Sequence, residues 1–472
     1  MKNKWNVLTK ISPLVYLLSV LFLISLERVI AWENQTDLGF LFSWYGLLGS
    51  CFIGLCYLYK KIPVNFLLTL AVLGQLVCFT HLPHLSTDYF RFIWDGELLS
   101  QGINPFDFTP NQYLKTHPDG SSYLNSLHEG MGSLSAANYS CYPTVNQFYF
   151  YLSTVCSNSI SESVFSMRIL LVFSHILGGW ACLQILKILN KDIRRSMWLF
   201  LNPLVIIECT GNLHFEGVML SFILFAIYFV MISKRMASGL FLTAAIHIKL
   251  IPLLIAGNIA KTLSMRKAVA YLSLVLFGVL FLFMVFINIE NGSHFFASLR
   301  LYFSTFEFNS ALVLPISEIL HSIAKGLPGD FTLSILGEKA VYWNPVPLVS
   351  PILGICVVAV YAKLYIFQKT GSWRSFFEVS VTVLLTYYLL NSTIHPWYII
   401  IPLGLSLFCE NKISLLWSVT VFASYALYAG PSTGVRILVW SVQYIPILLM
   451  LFAHKKGLGW FRVKMQANEV IR

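Results

Sequence analysis

Long apolar runs, parted by short polar stretches, make up most of this chain. They fall near residues 11–31, 39–59, 62–81, 166–188, 196–211, 215–233, 268–288, 344–367, 376–393, 413–428 and 436–453. A helix needs about 20 apolar residues to cross the ~30 Å hydrocarbon core, and most of these runs approach that length. Two further apolar stretches, 238–260 and 395–409, behave differently. Residues 238–260 lie between the basic pairs Lys234–Arg235 and Arg266–Lys267. If both pairs face the same side, the chain must enter and return. Each leg then has about 10 residues, or about 15 Å of helix, too short to cross. Two short buried legs meeting at the outer face satisfy this, sheltered by protein or a water-filled cavity. The pattern predicts an all-α polytopic membrane protein with 11 to 14 membrane segments. It reads as one integral domain over residues 1–472, interrupted by one long polar loop, 82–145, and closed by a basic tail, 455–472.

Composition agrees. Hydrophobic residues make up 57% of the chain and charged residues 11%, against about 25% charged in soluble domains. The net charge of +11 does not point to nucleic acid, because the basic residues sit in short clusters between apolar runs. Such clustering follows the positive-inside rule. Placing 23 of the 32 Lys and Arg residues on the cytoplasmic side puts both termini there too. The 82–145 loop then lies outside, and its two basic residues, Arg91 and Lys115, against six acidic ones fit that side. A multi-pass protein of a bacterial inner (cell) membrane is expected, in contact with membrane lipids. The nine cysteines are scattered without CxxC or metal-ligand spacing and read as small core residues. The first apolar run lacks a small-residue cleavage site and is expected to remain as a span.

The polar residues that need a reason are few. Asp88 and Asp95 open the long loop within Asp88–Phe106, which includes Arg91 and the turn Gly102-Ile103-Asn104-Pro105-Phe106. Seven residues apart on a helix, the two aspartates share a face; both also suit solvated loop or N-cap positions. Asp88 is nearer the apolar run and is the better base; Asp95 suits holding neighbouring groups. Tyr142-Pro143 starts the return to apolar sequence. Glu208, His214 and Glu216 cluster between two apolar runs, either lining a cavity or satisfying an interhelical network. Lys249 stands at the tip of the short paired legs, where a compact cation must snorkel or pair; a lipid phosphate is one apt partner. Arg300 is a second cation of this kind, and for each a helix-end carboxylate is the alternative partner. His395-Pro396-Trp397-Tyr398 breaks an apolar run; an aromatic belt explains the last two residues but not His395.

The stretch Asp88-Tyr89 with Arg91, Trp94-Asp95-Gly96 and Gly102–Phe106 resembles the first outer loop of GT-C glycosyltransferases. It is most similar to bacterial polyprenol-phosphate-dependent mannosyltransferases and to the loop of GPI mannosyltransferase I. The resemblance continues in order through Tyr142-Pro143 with Gln147, Asn202-Pro203-Leu204 with Glu208, Gly211–Glu216, Lys249–Pro252 and His395–Tyr398. It departs at Thr144, where the family often has a second Pro, and at Gly211–Glu216, where it often reads Gly-His-x-Asp. The resemblance implies a GT-C fold with its active site at the outer face. It implies transfer of a hexose, by likeness mannose, from a polyprenyl-phosphate donor to a glycan or lipid-linked acceptor in one inverting displacement. Asp88 would be the base, with Asp95 beside it. Lys249, Arg300 and Arg91 would bind the donor phosphate. Asn104, Tyr142, His214, Glu216, His395, Trp397 and Tyr398 would line the substrates.

Such a reaction asks for a base at the acceptor hydroxyl, cations at the departing phosphate and a lipid groove. A lipid phosphate is already a good leaving group, so no cofactor and no metal are expected. His81 and His84 lack a third ligand and read as interface sequence. A transporter or flippase would show internal repeats and midplane polar residues, and a glycan polymerase or ligase would show several outer-loop arginines. The chain shows neither pattern.

Overall fold

A computed structural model describes residues 11–33, 37–118, 122–288, 290–304, 307–316, 319, 346–368, 372–430 and 432–455. The basic tail beyond Lys455 lies outside the described residues. Helix α1 (Pro13–Ile30) begins at Ser12, whose hydroxyl accepts from the Leu14 amide, with proline in its first turn. Asp37 caps α2 (Leu38–Leu58) in the same way, through the Phe40 amide. With α3 (Val64–Val77), these helices bury Phe22, Leu26, Leu48 and Phe52 in one cluster, together with Ile206, Ile207, Phe422 and Tyr425 from far along the chain.

The long polar loop is itself helical. It holds α4 (Asp88–Ser100), α5 (Pro110–Thr116) and α6 (Ser122–Ala136), and α7 (Thr144–Thr154) returns from it. Asp88 sits in the first turn of α4, where the helix dipole favours a carboxylate. The far end closes on Gly102, which adopts φ +76°, with Ile103 N–H donating to Leu98 O and Gly102 N–H to Leu99 O. Gly96 lets α4 lie against α7. A Cβ there would stand 2.4 Å from the Phe150 carbonyl oxygen.

Next come α8 (Ile160–Ile188), α9 (Met197–Phe200) and the short α10 (Pro203–Val205), which runs into a π turn, Ile206–Gly211. After a break, α11 (Glu216–Met231) leaves at 109° to the segment before it. Leu213, inside the break, holds φ +65°, an uncommon state for a residue with a Cβ. Buried Arg168 of α8 secures the break by donating to the carbonyls of Thr210 and Gly211, and to that of His81. The paired legs expected over 238–260 are α12 (Arg235–Ile246) and α13 (Leu253–Lys261), joined by a turn carrying Lys249. Helices α14 (Met265–Phe283) and α15 (Gly292–Ser304) follow, then the helices Val346–Phe367, Trp373–Leu390, Ile400–Ser406, Ile413–Thr420 and Thr433–Lys455.

Among the described residues, six helices are long and apolar enough to cross a membrane, or seven if the bent pair across residues 212–215 counts as one. This confirms an all-α polytopic membrane protein, with fewer full-length spans than the 11 to 14 segments expected. The difference lies in runs that hydropathy cannot divide: 62–81, 196–211, 395–409 and 413–428 are short helices, 3₁₀ turns and a π turn. Phe277, Ile355 and Leu449 are each more than 60% exposed on such helices, the surface that lipid would cover. Several basic clusters meet at one end. Arg194 donates to Lys60 O, and Lys191 and Arg195 pair with Glu410 at 3.6 and 3.7 Å.

Candidate active site

A cavity of about 710 Å³ opens at the opposite end. Leu38, at the start of α2, lines it, whereas Lys60 follows the end of that helix, about 30 Å away at 1.5 Å per residue. Asp88, Tyr142, His214, Glu216, Lys249, His395, Trp397 and Tyr398 all line it. Eight of the expected site residues, from five separate stretches of chain, thus come together.

One wall is polar. Asp88 Oδ2 is 3.6 Å from His214 Nε2, and the Asp88 side chain is 42% exposed. Burial pushes the Asp88 carboxyl up, but the contact with His214 and its charge, then His395 and Lys249, outweigh it and hold the pKa below the ordinary carboxylate value. His214 stands between two carboxylates, with Nδ1 3.0 Å from Glu208 and Nε2 3.6 Å from Asp88. Lys249 Nζ bonds the buried Glu216 carboxylate and lies 4.7 Å from the centre of the Tyr398 ring. The Lys249 side chain keeps 30% exposure and lines the cavity. The other wall is apolar: Leu250, Ile251, Leu253 and Leu254 beside Lys249, with Phe295 and Leu299 of α15.

A column of rings forms the floor. His214 stacks on Trp397 with centroids 3.6 Å apart, Trp397 on His395 at 4.5 Å, and His395 on Phe308 at 4.8 Å. A short parallel bridge between Phe308 and Thr393 holds this register, with Phe308 N–H donating to Ser392 O and Ile394 N–H to Phe308 O. His395 Nδ1 lies 2.9 Å from the Tyr428 hydroxyl.

Four expected site residues lie elsewhere. Asp95 is fully buried, and its carboxylate accepts from Arg91 Nε at 2.8 Å, from the Ser140 hydroxyl at 2.5 Å and from Gln147 Nε2 at 2.9 Å. Arg91, also buried, donates through Nη1 to the carbonyls of Ser135 and Asn138. This pair ties α4 to the last turn of α6 and the chain just after it, and does not line the cavity. Asn104 donates to Phe286 O at 2.7 Å and tethers its turn to the end of α14. Arg300 is exposed on α15, off the cavity wall although Leu299 is on it. His84 pairs with Glu33 at 3.6 Å, and His81 Nδ1 lies 2.8 Å from the Thr80 hydroxyl.

Sequence reasoning placed no role on Tyr425, Tyr428, Asn146 or Arg168. Asn146 Nδ2 donates to Ile248 O at 2.6 Å, joining the start of α7 to the Lys249 turn. Tyr425 donates to Glu208 at 2.7 Å across more than 200 residues of chain. The local signal for the tyrosines is their spacing, Tyr425 and Tyr428, where an apolar run ends in Ala429-Gly430-Pro431.

Residues 35–266 match the family described as Alpha-(1->6)-mannopyranosyltransferase, N-terminal domain. The chain is also 26% identical over 144 residues to Alpha-(1->6)-mannopyranosyltransferase B of Corynebacterium glutamicum. That stretch covers 30% of this chain and 23% of the relative, so the chain matches less than a quarter of the relative's length. No solved structure matches the chain. Both likenesses are to mannosyltransferases, in keeping with the resemblance read from the loop motifs. The family match takes in α2 to α13 and with them Asp88, His214, Glu216 and Lys249.

Proposed function

From the likeness of residues 35–266 to alpha-(1->6)-mannopyranosyltransferases, we propose that this chain is a membrane glycosyltransferase of the GT-C kind. It moves a hexose, mannose by that likeness, from a polyprenyl-phosphate donor to a hydroxyl of a glycan or lipid-linked acceptor at the outer face of the membrane. The observation that carries this reading is one cavity where a part-exposed carboxylate, a cation and an apolar wall converge: Asp88, Lys249 and the side chains of Leu250, Ile251, Leu253 and Leu254. Asp88 takes the proton of the acceptor hydroxyl. The freed oxygen forms a bond to the sugar C1 from the face opposite the phosphate. The bond from C1 to the phosphate oxygen breaks, and its electron pair leaves with the phosphate. Lys249 offsets the charge that collects there, and the apolar wall takes the first isoprene units. Tyr142, Trp397 and Tyr398 offer ring faces and edges to the sugars.

Membranes bearing the protein test this when supplied with radiolabelled polyprenyl-phosphate mannose and, separately, nucleotide-linked mannose. Transfer is expected from the lipid donor. Asp88→Asn should lower turnover about 10²–10⁴-fold, as loss of a general base does, with the protein still extracted intact. Lys249→Met should raise the donor KM. Transfer from the nucleotide-linked donor alone, or near-normal turnover by Asp88→Asn, overturns the reading.

A further inference from the structure

We infer that Glu208 is a positioning residue that holds His214 so that a positive N–H faces Asp88, keeping this carboxylate ionised while an anionic donor occupies the cavity. The inference rests on the reading of Asp88 as the base. Glu208 belongs to the π turn and is fully buried. Its carboxylate receives three donors: His214 Nδ1 at 3.0 Å, Asn212 Nδ2 at 3.1 Å and the Tyr425 hydroxyl at 2.7 Å. A buried carboxylate needs such a set to stay charged.

Carboxylates only accept, so Nδ1 of His214 carries a hydrogen. The remaining choice is at Nε2, which faces Asp88 Oδ2 at 3.6 Å and has no hydrogen-bond partner among the described residues. A lone pair there would face a carboxylate and repel it; an N–H attracts it. Glu208 on one side and Asp88 on the other therefore both favour the imidazolium. The ring is held by the Nδ1 contact with Glu208 and by Trp397 stacked on its face, and the backbone N–H of His214 bonds the Glu208 carbonyl beneath it. The π turn and the left-handed Leu213 bring Glu208 and His214, six residues apart, to this contact.

Other charges meet here as well. Asp88 is faced by His214, His395 and Lys249. Glu208 is faced by His214, Tyr425, Tyr428 and Tyr45. Lys249 is engaged by Glu216, and among the described residues it is His214 whose ring nitrogen stands at ion-pair distance from Asp88, at 3.6 Å. A donor phosphate entering beside Asp88 brings a like charge, which raises a carboxyl pKa. The imidazolium opposes that rise.

The experiment is the pH profile of kcat, which reports groups in the substrate complex, with polyprenyl-phosphate mannose as donor. Removing the charge raises the Asp88 pKa, so the ionised base is lost at higher pH. The acid limb of Glu208→Gln should therefore move up by about 1–2 pH units, while the donor KM at neutral pH stays near wild type. His214→Gln, which keeps a side-chain N–H but no charge, should show the same shift and carries the test if Glu208→Gln fails to fold. An active Glu208→Gln whose kcat falls equally at every pH, or a His214→Gln acid limb at the wild-type position, overturns the inference and leaves Asp88 as base. Wild-type turnover by Asp88→Asn removes the base reading itself, and this inference with it.

Discussion

Asp88 and Asp95 share a helix face by spacing, yet their surroundings differ. The face is common, but about 10 Å of helix separates them. Asp88, in the first turn, meets the cavity; Asp95 meets Ser140, Gln147 and Arg91. The sequence could mark both carboxylates as costly at a membrane end, but could not tell which would be covered, because the cover comes from residues 45 and 52 positions on. The two should fail differently when changed. Asp95→Asn strands the buried Arg91 guanidinium, and breaking such a pair costs about 3–5 kcal/mol. We expect a large fall in thermal unfolding temperature in detergent, whereas Asp88→Asn unfolds where wild type does. An Asp95→Asn protein as stable as wild type but unable to turn over would return Asp95 to the catalytic account. Lys249 was legible because a cation at the tip of a short apolar hairpin has few roles. The Glu208–Tyr425 bond was not, since no local pattern joins positions 217 apart.

At the level of elements, the legs α12 and α13 were legible from charge alone, since basic residues bracket a run too short to cross twice. The break at 212–215 was only half legible. Two runs and a polar cluster were visible, but the π turn, the left-handed Leu213 and the Arg168 clamp depend on carbonyls that α8 reaches from outside. Helix α4 is set by its contact with α7, and Gly96 is the point of closest approach. Gly96→Ala should force the helices apart against the Phe150 carbonyl. Overpacking of this kind costs about 1–3 kcal/mol, and it displaces Asp88 because both residues ride on one rigid helix. We predict a lower unfolding temperature and faster trypsin cleavage at Lys115, with turnover reduced. Unchanged cleavage and turnover would mean that the two helices are not rigidly coupled.

For the whole molecule, one end gathers basic clusters and the other holds the cavity, and by the positive-inside rule we propose that the cavity end, with 82–145, lies outside. A single cysteine at Ser126, exposed on α6, should react with an impermeant maleimide in intact cells of a cysteine-depleted strain. Reaction only after the cytoplasmic side is opened would invert the topology and move the cavity to the cytoplasm. Hydropathy made the class readable, while the number of full-length spans was not, because buried short helices and lipid-facing ones are equally apolar. The column of rings has a consequence for descent. The family likeness ends at residue 266, but the floor of the cavity crosses that border: His214 stands on one side, and Trp397, His395 and Phe308 on the other. A lineage that altered the N-terminal half alone would inherit a mismatched floor. Substitutions at His214 and at Trp397 or His395 should therefore be coupled rather than additive, because the wall is shared across the border at which the family likeness stops.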